Sequence, residues 1–171
     1  SLDTALVKLS ATPADSAAQN GALNTAQALT ETLHGLSDAV ATARQTADQG
    51  IGVGVADVND TLKALARNET DRQQALSNGQ STADSTNTRI QILSDLSKNL
   101  PVRVNENNDG SITVSTDRGT TLWDGKVHEL SFDSTPVIPA NLRDKADATK
   151  GLAGGLSGVT VDGQPIVMSG L

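Results

Sequence analysis

Apolar residues recur at alternating steps of three and four through the first half of the chain and at steps of two through the second. The first spacing belongs to one face of a helix and the second to one face of a strand. Leu2, Leu6 and Leu9 mark the face of a short opening helix. Thr12-Pro13-Ala14-Asp15 then predicts a new helix start. Thr12 would be its N-cap, Pro13 would sit where a missing N–H costs nothing, and Asp15 would complement the helix dipole. From there Leu29, Leu33, Leu36, Val40, Ala43 and Ala47 step by four, three, four, three and four. Ile51, Val55, Val58, Leu62 and Leu65 continue the rhythm, with a stutter-like drift between Ala47 and Ile51. No proline lies between Pro13 and Pro101. The spacing predicts a helix over 16–75, whole or broken near Gly50–Gly54, about 90 Å long at 1.5 Å per residue. Helices of that length belong to coiled coils and fibrous bundles, and so narrow a stripe needs a partner helix.

Residues 77–88 (SNGQSTADSTNT) read as a polar break, followed by a second helix over about 85–99. Ile90, Leu93, Leu96 and Leu100 share its apolar face, with Ile92 beside them. Its expected docking site is the Val55–Leu65 end of the long helix, as an antiparallel pair, and Pro101 ends it. Beyond Pro101, Val102 and Val104 alternate with polar residues, Asp109-Gly110 signals a hairpin, and Ile112 and Val114 alternate again. Thr121–Trp123 and Val127–Phe132 continue the strands, with turns at Arg118-Gly119 and Asp124-Gly125. Residues 134–150 are irregular, Gly151–Gly158 is glycine-rich, and Val159–Val161 and Ile166–Met168 flank Asp162-Gly163 as a last hairpin. The expected fold class is α+β: an elongated bundle of coiled-coil-like antiparallel long helices over 1–100, then a small, mostly antiparallel β domain over 101–171 that is incomplete.

Composition narrows the picture. Trp123 and Phe132 are the only aromatic residues, so a core must come from Ala, Val, Leu and Ile. The net charge of −7 is spread evenly over both halves, which argues against a nucleic-acid partner. The absence of cysteine excludes disulfides and thiolate chemistry. No apolar run approaches a membrane span, and nothing reads as a signal peptide. The chain opens on Ser1, without methionine and already helical in pattern, and is expected to be a piece of a longer protein.

Candidate chemistry is sparse. His34 and His128 are the only histidines, one read as a helix-surface residue and the other as an outward-facing strand residue, with no metal-ligand spacing. Gly50-Ile51-Gly52-Val53-Gly54 lacks the last glycine and the preceding strand of a phosphate loop. Its glycines suggest a thin or flexible point, or close approach by another helix. Asn105–Gly110 imitates the start of a calcium loop, but position 12 is Thr116 where the bidentate glutamate should stand. Asn59-Asp60-Thr61 and Asn68-Glu69-Thr70 match a glycosylation pattern inside the long helix and are read as surface polar residues. No catalytic, cofactor-binding or metal-binding residue is assigned, and no cofactor.

Several strings, in order, resemble the bacterial flagellar hook-associated protein 1 (FlgK) family. Arg89-Ile90-Gln91-Ile92-Leu93-Ser94-Asp95-Leu96-Ser97, then Val102-Arg103-Val104, then Asp109-Gly110-Ser111 is similar to that family's Arg-Asp-x-Leu-Leu-x-x-Leu-Ser helix, Val-x-Val strand and Asp-Gly-Ser turn. Thr12–Asp15 resembles its Asn-Pro-Ser-Asp segment, and Val55-Ala56-Asp57-Val58-Asn59 its Val-Asp-x-Ile-Asn stretch. The likeness covers roughly 5–125, with Ile90 standing where the family has aspartate and 83–87 departing from its pattern. What the resemblance implies is a structural, non-enzymatic subunit of the flagellum at the hook–filament junction, outside the cell and exported by the flagellar type III route. It would pack against other copies of itself in a ring, the hook protein and the neighbouring hook-associated protein. Its parent's terminal helices would form the inner tube, leaving this piece largely monomeric when isolated.

Three other readings compete. A hook-associated protein 3 or flagellin relative shares the helix-then-strand plan, without the terminal signatures visible here. A coiled-coil stalk with a β head could serve as an extracellular binding or adhesion module. An enzyme has no supporting constellation.

Overall fold

The computed structural model describes residues 1–135 and 157–166. Three helices, α1 (Leu2–Ala11), α2 (Ser16–Ser77) and α3 (Ala83–Asn99), precede six short strands. These are β1 (Val102–Glu106), β2 (Ile112–Thr116), β3 (Thr121–Trp123), β4 (Leu130–Ser131), β5 (Thr160–Val161) and β6 (Gln164–Pro165). The order is the expected α+β plan, with a long helix followed by small antiparallel sheets. The described residues fall into two compact units, one within Ser1–Thr46 and one within Ala47–Thr135 together with 157–166.

In the first unit α1 lies back along the start of α2, where Ala18 and Ala22 are buried beneath it. Leu2, Ala5 and Leu9 form the packed face of α1, whereas Leu6 is exposed, so the face turns by one residue from the one expected. The predicted cap is also displaced. Thr12 still donates its N–H and its hydroxyl to the Lys8 carbonyl and so ends α1. Asp15 caps α2 in its place, its carboxylate accepting from Ala17 N–H at 2.9 Å. Pro13 and Ala14 form the turn between them. The reason is local: the Thr12 backbone is already committed to the preceding helix.

Helix α2 runs through Gly50, Gly52 and Gly54 without a break. It stops where the Gly79 N–H reaches the Leu76 carbonyl and the Gln80 N–H reaches the Ala75 carbonyl. This pair of bonds requires a left-handed residue, supplied by Gly79 at φ +68°. The polar break is therefore only 78–82, and α3 starts at Ala83, earlier than the polar run suggested. A polar sequence can extend a helix once its far end is packed.

The second unit has one hydrophobic core. Val58, Leu62 and Leu65 of α2 meet Leu96 and Leu100 at the end of α3, in the expected antiparallel pairing. Ile112 and Val114 of β2, Leu122 and Trp123 of β3, Leu130 of β4 and Val161 of β5 close the same core. The face of α3 differs from the expected one: Arg89 is buried and Ile90 is 57% exposed. The sheets are β1-β2-β3 and β4-β5-β6, each antiparallel. Hairpin β1–β2 pairs Val104 with Val114, as the alternation predicted. The expected strand 127–132 shrinks to Leu130–Ser131, with a lone bridge from Val127 to Trp123. The Asp162-Gly163 turn has both residues at positive φ, which suits a two-residue hairpin. Its second strand is Gln164–Pro165, ahead of the expected 166–168, of which 167 and 168 lie outside the described residues. The irregular stretch and glycine-rich run expected at 134–150 and 151–158 lie almost wholly outside them too.

Candidate functional site

The chemistry in the second unit is devoted to joining segments. Glu69 on α2 is buried between Arg72, three residues on, and Arg89 of α3. Its Oε2 lies 3.2 Å from Arg72 Nε and its Oε1 3.5 Å from Arg89 Nε. Both arginines donate to the Gly110 carbonyl at the tip of hairpin β1–β2. One carboxylate thus holds two guanidinium groups, and both hold one backbone oxygen. The helix pair and the sheet are fixed at that point by charge-assisted hydrogen bonds. Nothing in the helical spacing announces this cluster, because the three elements are far apart in the sequence.

The asparagines of the two glycosylation-like triplets are not plain surface residues. Asn59 accepts the Leu130 N–H at 2.8 Å and donates to the Leu130 carbonyl at 2.8 Å, so its amide completes the edge of β4 as a neighbouring strand would. Asn68 is buried, and its Oδ1 has no hydrogen-bond partner among the described residues. Asp48, also buried, accepts from the Ser134 hydroxyl and from Thr135 N–H. Replacing Asn59 with alanine is expected to cost about 1–3 kcal/mol, since it strands both backbone groups of a buried residue. Urea unfolding followed through the single tryptophan, Trp123, measures it.

The segment that imitates a calcium loop is the expected hairpin turn, closed by its own side chains. Asp109 accepts from Ser111 Oγ at 2.6 Å and from Ser111 N–H at 2.9 Å, and these two bonds hold its carboxyl below the usual range. Among the described residues no group of three or more His, Cys, Asp or Glu is placed to hold a metal ion. Nor is any described helix long and apolar enough to cross a membrane. His34 is exposed on α2, as read. His128 is not an outward-facing strand residue: it follows the Val127 bridge, outside any strand, with its ring between Asp124 and Asp162.

The glycine cluster serves two ends. Gly52 lies against Phe132, whose Cδ1 would be 3.9 Å from an added Cβ. Gly50 and Gly54 face open space and line a groove of about 400 Å³ with Ala47, Val58, Leu100 and Leu130. Alanine at Gly50 or Gly54 is therefore expected to stabilise the chain by about 0.5–1 kcal/mol each, the ordinary gain inside a helix. A shift of the urea midpoint upward checks this.

In the first unit Leu29, Leu33, Leu36 and Val40 are all more than 40% exposed. The sequence stripe that demanded a partner is uncovered there among the described residues.

A family model, described as the flagellar hook-associated protein FlgK helical domain, matches residues 2–164. No individual curated protein matches the chain. The match spans the long helix, the α3 segment and the hairpins that carry the buried Glu69 cluster, and on that extent the chain belongs to the family of flagellar hook-associated protein FlgK helical domains.

Proposed function

We propose that this chain is a packing subunit of the hook–filament junction, with its surfaces as its function and no catalytic, cofactor or metal site. Membership in the family makes it a structural, hook-associated component of the bacterial flagellum. The observation that carries the finer reading is the contrast along α2. Its Val58–Leu65 face is sealed in a core, while its Leu29–Val40 face is left as an uncovered apolar row among the described residues. Such a row suits burial against other subunits in an axial assembly.

In this reading the partners are further copies of the chain in a ring, the hook protein and the adjoining hook-associated protein, at an extracellular position. Residues 1–100 supply the helical part and 101–171 the β domain. The isolated chain is largely monomeric, because its charge of −7 favours solubility and each lateral contact is weak alone.

Immunogold labelling of intact flagella with antibody against this segment tests the proposal. Label confined to one position between hook and filament is the expected result. Label along the filament would point to another axial protein, and label over the cell surface to the adhesion module; either overturns the junction role.

A further inference from the structure

His128 is the one described histidine engaged at both ring nitrogens. Nδ1 meets the carboxylate of Asp162, and Nε2 lies 3.1 Å from Asp124 Oδ1. The two aspartates belong to different segments. Asp124 follows β3 directly, while Asp162 is the first residue of the β5–β6 turn, at φ +49°. Carboxylates accept hydrogen bonds and cannot donate them when ionised. A neutral imidazole has one N–H and could satisfy only one of them, leaving the other carboxylate against a lone pair. An imidazolium satisfies both.

We infer that His128, Asp124 and Asp162 form a proton-dependent latch that ties the β5–β6 hairpin to the turn after β3. The hairpin has other described attachments. It pairs with β4 through Leu130–Val161 and Ser131–Thr160, buries Val161, and packs Val159 and Ile166 partly buried against the core. The latch adds a polar tie, from the turn end of the hairpin to the segment after β3, to these apolar and backbone contacts. The remaining charges nearby do not replace it: Lys126 acts on Asp162, and Glu129 is engaged by Lys63 at 3.1 Å.

The direction of the pH response follows. The hydrogen bond to Asp162, then those to Asp124, hold His128 above the ordinary histidine value. Its contribution is whole below about pH 6.5, the ordinary histidine pKa, and is lost as pH rises through the higher folded value. The same bond holds Asp162 below the usual carboxylate range. On the acid side the contribution is present above about pH 3.9, the ordinary aspartate value, and is lost as pH falls through the lowered folded value. The latch is closed between those limits and opens on the alkaline side.

Amide exchange and ring titration by NMR on the 171-residue chain test this. After correction for intrinsic exchange, protection within 159–166 should fall about twofold to fivefold as pH rises through the His128 titration, the scale of a part-exposed ion pair. Protection around Leu62 should not follow it. The His128 ring should titrate above its value in the urea-unfolded chain. Asp162→Asn should lower that titration and flatten the fall in protection. His128→Gln should leave the hairpin at the low, alkaline level of protection at every pH. A fall that persists in His128→Gln, or a ring titration unmoved by Asp162→Asn, overturns the latch.

Discussion

Replacing Glu69 with glutamine is expected to destabilise the second unit by about 3–5 kcal/mol, the cost of leaving a buried charge without its partner. The substitution keeps the shape of the side chain but removes the negative charge and turns one acceptor oxygen into a donor that faces an arginine. Arg72 and Arg89, both buried, would then share only neutral acceptors, the Gly110 carbonyl and one amide oxygen of the glutamine. Neutral oxygens cannot offset two guanidinium charges removed from water. The loss should appear in the urea midpoint followed by Trp123, which lies in the same core. An unchanged midpoint would show that water reaches the two guanidinium groups.

A second comparison separates charge from connection. Glu69→Leu, Arg72→Met and Arg89→Met made together remove every buried charge of the cluster, and such exchanges are often neutral or stabilising. Here the triple variant should recover most of the stability lost in Glu69→Gln, yet leave the Gly110 carbonyl without its two donors, at about 1 kcal/mol. The residual deficit measures what the cluster contributes by holding the hairpin.

Leu62→Ala is expected to cost about 2–5 kcal/mol, whereas Leu36→Ala on the same helix should cost less than about 0.5 kcal/mol. Both positions belong to the same rhythm of threes and fours. Leu62 is completely buried among Leu65, Leu96 and Leu122, so truncation opens a cavity in a core that has one large ring to fill it. Leu36 is 61% exposed, and its removal takes little surface out of any core. In the assembled flagellum the order should reverse in kind. Leu36→Asp leaves the isolated chain folded but, on the proposed junction role, is expected to weaken incorporation, read as filaments lost from the hook. Equal thermal losses for Leu36→Ala and Leu62→Ala would mean that the Leu29–Val40 row is already covered within the chain.

The helices, the hairpin turns and the antiparallel docking of α3 were legible in the residues, because each is governed by local rules. A period of 3.6 needs only the chain itself, and so do a positive-φ glycine at a helix end and an Asp-Gly turn. The family's strings could be read for the same reason, being runs of consecutive residues. Even the departure at Ile90 makes sense locally, since that position lies on the exposed side of α3 where an aspartate would also sit.

Spacing shows that a helix has an apolar face but not what covers it. The Val55–Leu65 end was expected to receive α3, but long-range packing alone decided that Leu29–Val40 stayed uncovered among the described residues and that Arg89 turned inward in preference to Ile90. A buried arginine is stable only where a carboxylate and a carbonyl come to meet it, and these arrive from Glu69 and Gly110, each about twenty residues away. Asn59 likewise reads as a surface amide until Leu130, 71 residues on, brings the backbone groups it completes. His128 needed Asp162, 34 residues later, before its ring had two acceptors. Polar groups take their roles from partners that only the folded chain assembles, and so the helical scaffold was written in the sequence while its buried charges, edge cap and latch were not.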